Sequence, residues 1–322
     1  MRAKGKPTKT VSMSEGTHLN QSGSDYHVPV MLQEVIVGLA IKPDGVYVDC
    51  TFGGGGHSRA MLNELGPKGK LIVFDQDADA KANAPEDERL IFVGENFRHL
   101  QKFLRLHRIS GVDGLLADLG VSSHQFDEGE RGFSIRFDAT LDMRMDRRSS
   151  LTAAEVLKTY SESALHKLFE RYGEVTNAKT LANKIVSFRS SGNLNTIFEF
   201  RQAIADVVKG NPNKYLAQVF QALRIEVNDE MGALRDMLSQ LNEVIVKDGR
   251  VCIITFHSLE DRLVKQFFKT GQVEKVQEDV LFGGVQKSGW EIVGKKPVEA
   301  STSEQKLNPR SRSAKLRIAI KK

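Results

Sequence analysis

The chain is poor in cysteine and has no long hydrophobic run. Only two cysteines, Cys50 and Cys252, occur among its 322 residues, and neither belongs to a CxxC pair. This scarcity argues against a disulfide scaffold and a zinc ribbon, and it is typical of proteins from reducing compartments. The sequence also lacks an apolar stretch of membrane-spanning length and a signal-peptide hydrophobic region. We therefore expect a cytoplasmic protein with no membrane partner and no metal site.

The charge and the length permit a nucleic-acid partner and a substantial core. The net charge is +5, the pI is near 9.0 and 40% of the residues are hydrophobic, which suits a basic protein of one large or two medium domains. Residues 1–26 are basic and rich in Ser, Thr and Gly, so we expect a disordered tail. A transit peptide would instead place the protein in the mitochondrial matrix, but arginine is scarce in this tail and no amphipathic stripe is visible.

The stretch Val46–Asp75 organises the chain. An apolar run ending in Asp49 precedes four glycines, Gly53 to Gly56, and a helical run and a second apolar run then lead to Asp75. Strand, glycine loop, helix, strand and acid are typical of a nucleotide-binding unit, in which the loop approaches the ligand and the acid accepts ribose hydroxyls. Asp49, placed before the loop, would repel a pyrophosphate and attract an ammonium group. The sequence therefore favours S-adenosylmethionine (SAM) over NAD.

The rest of the pattern predicts an α/β fold with a helical insertion. Strands and helices alternate up to a fourth strand ending at Asp118, which indicates a parallel sheet with helices on both faces. The alternation then stops: residues 127–148 are charged and contain glycine, and only helical periodicity follows up to about residue 228. We interpret 127–228 as a helical insertion, after which the alternation resumes with a helix and a strand at 250–256. We therefore predict a discontinuous sheet domain, residues 27–126 and 229–322, interrupted by the insertion.

Polar residues follow the predicted strands at the edge where ligands of a parallel sheet bind. We expect these sets to converge on one crevice: Asp49 with the glycine loop, Asp75, Glu95-Asn96-Phe97, Asp118 to Ser123, and Thr255 to Ser258. Ser258 and Asp261 are also spaced as a capping pair for the helix that follows. This convergence is the strongest sign of an active site in the sequence.

Longer motifs resemble one known family. In chain order they are His27-Val28-Pro29-Val30, Thr51 to Ser58, Asp118 to Ser123, Arg131-Gly132-Phe133-Ser134, Leu141 to Asp146, Tyr172-Gly173-Glu174, Phe220 to Ile225, Phe256 to Arg262 and Asn308 to Ala314. From His27 onward the chain resembles the RsmH (MraW) family, whose members transfer a methyl group from SAM to N4 of a cytosine in small-subunit (16S) ribosomal RNA. The resemblance implies that activity, a Rossmann-like class I SAM methyltransferase sheet, an inserted all-helical domain that recognises substrate, and the small ribosomal subunit as partner.

The resemblance also implies which residues bind SAM. They are Gly55, Gly56, His57, Asp75, Phe97, Asp118 and Gln125, to which the loop chemistry adds Asp49 and Gly53. Gln125 follows His124 where proline is usual in the family, and the glycine loop is all Gly where relatives can carry another residue. Neither departure removes a group that contacts the cofactor.

The chemistry of N4 methylation suggests a role for Asp118. The exocyclic amine of cytosine is a poor nucleophile because its lone pair is delocalised into the ring, and an acceptor for its N–H returns electron density to nitrogen. Asp118 is the candidate acceptor; the alternative is a carboxylate that only binds SAM or caps a helix. The sequence identifies no stacking partner for the base. C5 methylation is disfavoured, since it needs a cysteine nucleophile in a loop and Cys252 lies in a predicted strand.

Several residues keep two interpretations. His257 contacts substrate or simply precedes a helix cap, and Arg144 belongs to a lid over the crevice or to a salt-bridged loop. Arg310 and Arg312 contact RNA phosphates or form a solvated edge. Two other functions remain open from the residues alone. One is an NAD-dependent oxidoreductase, for which no hydride-handling constellation is visible, and the other is an RNA-binding assembly factor without catalytic activity.

Overall fold

The computed structural model describes residues 29–122, 129–274 and 288–322. The strands in these ranges are β1 (Val46–Asp49), β2 (Lys70–Phe74), β3 (Leu90–Val93), β4 (Val112–Asp118), β5 (Ile245–Thr255), β6 (Trp290–Ile292), β7 (Val298–Glu299) and β8 (Lys315–Lys321). The α-helices are α1 (Leu32–Leu39), α2 (Gly56–Glu64), α3 (Leu100–Leu106), α4 (Ala153–Thr159), α5 (Glu162–Gly173), α6 (Ala178–Phe188), α7 (Ile197–Ala203), α8 (Pro212–Asn228), α9 (Glu230–Val244), α10 (Ser258–Thr270) and α11 (Thr302–Leu307). None of the helices in the described ranges combines the length and the apolar character that crossing a membrane requires.

The strands form one sheet in the order β3-β2-β1-β4-β5-β8-β6, and β7 also pairs with β8. Strands β1 to β5 run parallel, whereas β8 is antiparallel to β5. Parallel neighbours need crossover connections, which helices and short helical turns supply here. The predicted α/β sheet is thereby confirmed. Its strand order reverses between β1 and β4, the position at which open α/β sheets bind their ligands.

Strand β5 begins earlier than the hydrophobic pattern predicts. It starts at Ile245 rather than at Arg250, because Ile245 already pairs with Val112 of β4. The register then shifts, and the next pairing joins Arg250 to Gly114. The residues between these pairings, 246–248, are exposed. An exposed interruption hides the alternation that marks a strand, so the prediction of this boundary was wrong.

Two hydrophobic clusters cover the two faces of the sheet. On one face, Val48, Ile72 and Leu115 pack with residues of α3, α9 and α10. On the other, Tyr47 and Leu71 pack with residues of α1 and α2. Successive residues of a strand point to opposite faces, so strands buried on both sides are apolar in both directions. This burial fixes the strand ends and, with them, the polar residues that follow.

Helices α4 to α8 surround a third hydrophobic cluster. Side-chain caps define where several of them begin: Ser161 accepts from the N–H of the third residue of α5, and Thr196 with Glu199 forms the predicted capping box of α7. Asp229, with φ 45°, ends α8 and leads directly into α9, which packs on the sheet. The helical unit therefore joins the sheet through a single-residue turn. Its role in recognising substrate stays a prediction.

A buried ion pair ties the segment before α4 to the loop after β2. Arg131, only 4% exposed, donates through Nη1 to the Asp77 carboxylate. Its Nη2 donates to the carbonyl oxygens of Arg144 at 2.9 Å and Met145 at 3.2 Å. The segment is thus anchored two residues beyond Asp75, at the edge of the sheet where the candidate site residues lie.

We predict that Arg131→Met lowers the free energy of unfolding by about 3–5 kcal/mol, because it leaves a carboxylate buried without its cation. Arg148→Met is the matched control. Arg148 lies in the same segment and pairs with Asp146 there and with Glu95 after β3, but its side chain is 58% exposed, so we expect a cost of about 1 kcal/mol or less. Urea unfolding measures both variants, and equal losses would rule out a special anchoring role for Arg131.

Candidate functional site

Candidate site residues lie at the carboxyl ends of five neighbouring strands. Asp49 ends β1, Asp75 follows β2, Phe97 lies beyond β3, Asp118 ends β4 and His257 lies beyond β5. These strands are parallel and adjacent in the order β3-β2-β1-β4-β5, so their ends share one edge of the sheet. The sets that the sequence analysis expected to converge therefore lie at the point where the strand order reverses.

The glycine loop leads into α2 through a residue that tolerates no side chain. Gly55 has φ 75°, and a Cβ there would lie 2.7 Å from Arg59 Nη1 and 2.8 Å from the ring of Phe52. Gly54 differs, because no described atom lies within 4 Å of the position that a Cβ would take there. Among the described residues no side chain caps α2, so its first N–H groups carry the partial positive charge of a helix start. A carboxylate ligand suits that position.

Asp75 links the glycine loop to the end of β2. Its Oδ2 accepts a hydrogen bond from Gly53 N–H at 2.7 Å, and its Oδ1 accepts one from Asp77 N–H at 2.8 Å. Burial raises the pKa of Asp75 to about 6, against the lowering effect of these two hydrogen bonds. A carboxylate offers about four acceptor positions. Each oxygen of Asp75 can therefore accept a second hydrogen bond, such as one from a ribose hydroxyl.

Asp49 is buried and bonded within the chain. Its Oδ2 accepts from Ser58 Oγ at 2.6 Å, and its Oδ1 accepts from Thr51 N–H at 3.0 Å. Burial raises the pKa of Asp49, while the hydrogen bond from Ser58 opposes that effect. These bonds connect β1, the loop and α2, so the structure gives Asp49 a part in holding the loop. Its direct contact with an ammonium group stays a prediction.

Asp118 and His57 face each other beside the loop. The Asp118 side chain is 25% exposed, yet its Oδ1 is buried and has no hydrogen-bond partner in the part of the chain that the structure describes. Its Oδ2 lies 3.9 Å from Nδ1 of His57, whose Nε2 lies 3.0 Å from the carbonyl oxygen of Val30. Burial, then the charges of Asp49 and Glu260, raise the pKa of Asp118 well above its usual range. Burial also lowers the pKa of His57, so the imidazole is neutral.

Phe97 occupies the end of β3. Asn96 begins the short turn at Phe97 by accepting from Arg98 N–H, and its Nδ2 donates to Gln76 Oε1 at 2.8 Å. Phe97 is half-buried and packs against the hydrophobic cluster of the sheet. A half-buried ring at this edge suits contact with a planar group such as adenine.

His257 caps α10, which corrects the cap expected from the sequence. Its Nδ1 accepts from Glu260 N–H at 3.4 Å, and the Glu260 side chain accepts in return from His257 N–H. The expected pair of Ser258 and Asp261 was wrong: α10 begins at Ser258, and Asp261 accepts from Arg317. Histidine here fills a position that serine, threonine, aspartate or asparagine usually fills. The capping contact supports the structural interpretation of His257.

A charged cluster that the sequence analysis missed borders the loop after Asp118. Glu230, His257 and Glu260 have ligand-type atoms within 4.8 Å of one another. Arg224 donates to both carboxylate oxygens of Glu230, at 2.8 and 2.9 Å. Its guanidinium therefore supplies a positive charge next to the carboxylates of the cluster. Arg224 and Glu230 lie on two helices joined at Asp229, and only that tight turn brings them together. No spacing rule within a single helix would have identified the pair.

The candidate RNA-binding arginines differ in their exposure and in their contacts. Arg144 donates through Nε and Nη2 to the two carboxylate oxygens of Asp142, each at 2.7 Å, so its guanidinium is engaged within its own loop. Arg312 is exposed and Arg310 is half-buried in the turn before β8. Gln125 lies outside the described residues. Contact of these arginines with RNA stays a prediction.

We predict that Gly55→Ala lowers the free energy of unfolding by about 1–3 kcal/mol, because a side chain in the left-handed region is strained and its Cβ meets Phe52 and Arg59. Gly54→Ala is the matched control and should change that free energy by less than about 1 kcal/mol. Chemical unfolding of the two variants in parallel measures the difference. If the Gly54 variant lost as much stability as the Gly55 variant, the described geometry of the loop would be incorrect.

The sequence matches one protein family and several known relatives. A family model described as "MraW methylase family" matches residues 24–322. A Parabacteroides distasonis protein named "Ribosomal RNA small subunit methyltransferase H" is 53% identical over 305 residues, which cover 94% of this chain and 100% of that protein. Proteins of the same name from Bacteroides thetaiotaomicron and Flavobacterium johnsoniae are 52% and 50% identical over 298 residues, covering 92% of this chain and 98% of each relative. These matches include both the sheet and the helical unit.

Proposed function

This chain belongs to the MraW methylase family, and we propose that it transfers a methyl group from SAM to the exocyclic N4 amine of a cytosine in small-subunit ribosomal RNA. The coarser activity, methylation of small-subunit ribosomal RNA, follows from relatives that share half of its residues over nearly the whole chain. Membership of this family excludes the alternative function, that of an NAD-dependent oxidoreductase. The observation that carries the choice of N4 is Asp118, a carboxyl group at the end of β4 whose side chain is 25% exposed and can accept an N–H bond.

The residues of the crevice fit SAM. Asp75 keeps acceptor positions for both hydroxyls of a ribose, and the uncapped start of α2 suits the carboxylate of the methionine end. Phe97 suits contact with adenine. A side chain at Gly55 would clash with Phe52 and Arg59, so the loop can pass close to a ligand only as glycine. When bound, SAM supplies a methyl group on a positively charged sulfur.

Asp118 is the proposed partner of the amine. By accepting one N–H, the Asp118 carboxyl group orients the nitrogen and returns to it electron density that the ring otherwise withdraws. Holding the reacting groups in one geometry removes much of the entropic barrier to transfer. Asp118 is suited to this because it ends β4 next to the glycine loop and its side chain is partly exposed.

Neither cysteine supports the alternative reaction at C5, which needs a thiolate nucleophile. Cys50 and Cys252 are both buried. Burial raises the pKa of Cys252 to about 12 and that of Cys50 well above its usual range. Both thiols therefore stay protonated at neutral pH, and a buried protonated thiol is not a nucleophile.

The proposed RNA substrate is an unpaired cytosine on an assembled or nearly assembled small subunit, in the cytoplasm. N4 takes part in Watson–Crick pairing, so the enzyme must take a single-stranded base or flip one out. Selectivity is proposed to come from the crevice, the helical unit and the basic segment that contains Arg310 and Arg312. Basic contacts with RNA also make binding weaken as salt rises.

We predict that SAM affinity falls about tenfold between pH 7 and pH 5. The pKa of Asp75 is about 6, so the carboxylate is ionised at the upper pH and protonated at the lower. A protonated Asp75 loses charged hydrogen bonds to the ribose, worth about 1.5–3 kcal/mol. Asp75→Asn should bind weakly at both values, whereas the exposed control Asp44→Asn should follow the native chain. Calorimetric titration measures these affinities; a native affinity independent of pH would contradict the assignment of Asp75.

We also predict which RNA is methylated and where. Isolated small subunits, protein-free ribosomal RNA and double-stranded RNA are offered in parallel with SAM, and the product is mapped by mass spectrometry. We expect N4-methylcytosine at an unpaired site, most efficiently on the subunit and not on the duplex. Product at C5, or equal modification of the duplex, would overturn the proposal. An absence of any transfer would favour the RNA-binding assembly factor.

Asp118→Asn distinguishes a chemical role from a binding role in the same assay. Its single-turnover rate should fall about tenfold or more, with SAM affinity within about threefold of native. Asp113→Asn is the control, since Asp113 lies near the start of β4 with similar side-chain exposure, 23% against 25%. A rate for Asp118→Asn within about threefold of native, less than 1 kcal/mol in barrier, would remove Asp118 from the chemistry.

A further inference from the structure

Arg224 has one guanidinium nitrogen that its ion pair with Glu230 does not use. Nε and Nη2 donate to the two carboxylate oxygens of Glu230, and the Arg224 side chain is only 17% exposed. Nη1 forms no hydrogen bond within the part of the chain that the structure describes, and it retains accessible surface, since it is not one of the buried atoms there that lack a partner. The ion pair therefore fixes the guanidinium and leaves the N–H groups of Nη1 open to a ligand.

Nη1 lies beside the loop that follows Asp118. The position that a Cβ would take at Gly120 is 4.0 Å from Nη1 and 3.7 Å from the ring of Phe256. Gly120 has φ 94°, a conformation that glycine adopts readily and other residues do not, so the chain keeps this point free of a side chain. Asp118 ends β4 two residues earlier, and Phe256 directly follows the neighbouring strand β5. An arginine N–H donor and an aromatic ring thus border one open point next to the proposed acceptor of the amine.

The buried carboxylate of Glu260 acts on both Asp118 and Arg224. Its residue is 3% exposed. Burial raises the pKa of Asp118, and the charges of Asp49 and Glu260 raise it further. Burial opposes the charge of Arg224, whereas Glu230 and Glu260 favour it. Asp118 and Arg224 are therefore both close enough to Glu260 to interact with it electrostatically, and the guanidinium keeps its charge.

A donor next to an acceptor matches the pairing edge of cytosine. That edge presents the N4 amine as a donor and, beside it, the ring nitrogen N3 as an acceptor. Uracil presents the reverse order, with an acceptor at O4 and a donor at N3. A site that offers an acceptor for N4 and an N–H for N3 therefore selects cytosine and leaves two mismatched pairs with uracil.

We propose that Arg224 reads the target base: Nη1 donates a hydrogen bond to N3 of cytosine while Asp118 accepts one from N4, and the Phe256 ring flanks the base. This inference rests on the proposed function. No bond of Arg224 forms or breaks in the transfer, so its role is to determine specificity. Since Arg224 belongs to α8, the helical unit contributes directly to recognition of the base.

The test compares two nucleosides that differ at N3. The native chain, saturated with S-adenosylhomocysteine, is titrated by NMR with cytidine and with 3-deazacytidine, in which a C–H group replaces N3. Cytidine should bind at least about tenfold more tightly, because the analogue cannot accept the hydrogen bond from the charged donor. Arg224→Lys keeps a cation beside Glu230 but lacks Nη1, so the two affinities should agree within about twofold, with S-adenosylhomocysteine affinity unchanged.

Two further variants separate base reading from a structural role. Arg317→Lys is the matched control, since Arg317 donates through the same two nitrogens to Asp261, at 2.7 and 3.0 Å, with its side chain 9% exposed. It should keep the native preference for cytidine. Phe256→Leu should weaken both nucleosides about tenfold and leave their ratio unchanged, because stacking does not depend on N3.

The outcomes decide the assignment. A native chain that binds the two nucleosides equally, or a preference that survives Arg224→Lys, would overturn it. If Arg224→Lys does not fold, a crystal structure of the native chain with S-adenosylhomocysteine and cytidine decides: we expect about 2.7–3.2 Å between Nη1 and N3, and a separation without a hydrogen bond would overturn the assignment. Methyl transfer by the native chain to isolated small subunits, measured in parallel, tests the proposed function separately.

Discussion

The site depends on one geometric constraint, the register of parallel strands that brings three carboxylates to the same sheet edge. Asp49 aligns with Val73 of β2 and with Leu116 of β4, so Asp75 and Asp118 follow within two residues on either side. Three acids held this close in a buried edge cannot all ionise freely. Ser58 and Thr51 donate hydrogen bonds to the Asp49 carboxylate, and two backbone N–H groups donate hydrogen bonds to that of Asp75. Only Asp118 keeps an oxygen without a partner among the described residues, and such an oxygen marks a functional position.

Polar contacts tie the segment before α4 to the helical unit and to the loop after β2. Arg131 reaches Asp77, and Asn228 at the end of α8 accepts from Met145 N–H at 2.7 Å and donates to the Met143 carbonyl oxygen at 2.8 Å. These contacts position the segment before α4 between the helical unit and the strand ends. The two Asn228 bonds each satisfy a backbone group of this segment that would otherwise lack a partner.

Local features of this fold could be predicted from the sequence, and features created by the fold could not. The glycine loop, the acid at Asp75, the alternation of strands and helices and the capping box at Thr196 each depend on residues close in the chain, so pattern rules identify them. Arg131 with Asp77 and Arg224 with Glu230 become partners only through folding. The cap at His257 was missed because histidine is rare in that position. The exposed residues 246–248 concealed the beginning of β5.

The most direct measurement of the central claim is a crystal structure with S-adenosylhomocysteine and cytidine bound together. We predict that both ribose hydroxyls of the cofactor product contact Asp75 and that cytidine N4 lies within about 2.7–3.2 Å of a carboxyl oxygen of Asp118. A base whose C5 points at the cofactor sulfur, or an N4 bonded to an acceptor other than Asp118, would contradict the claim.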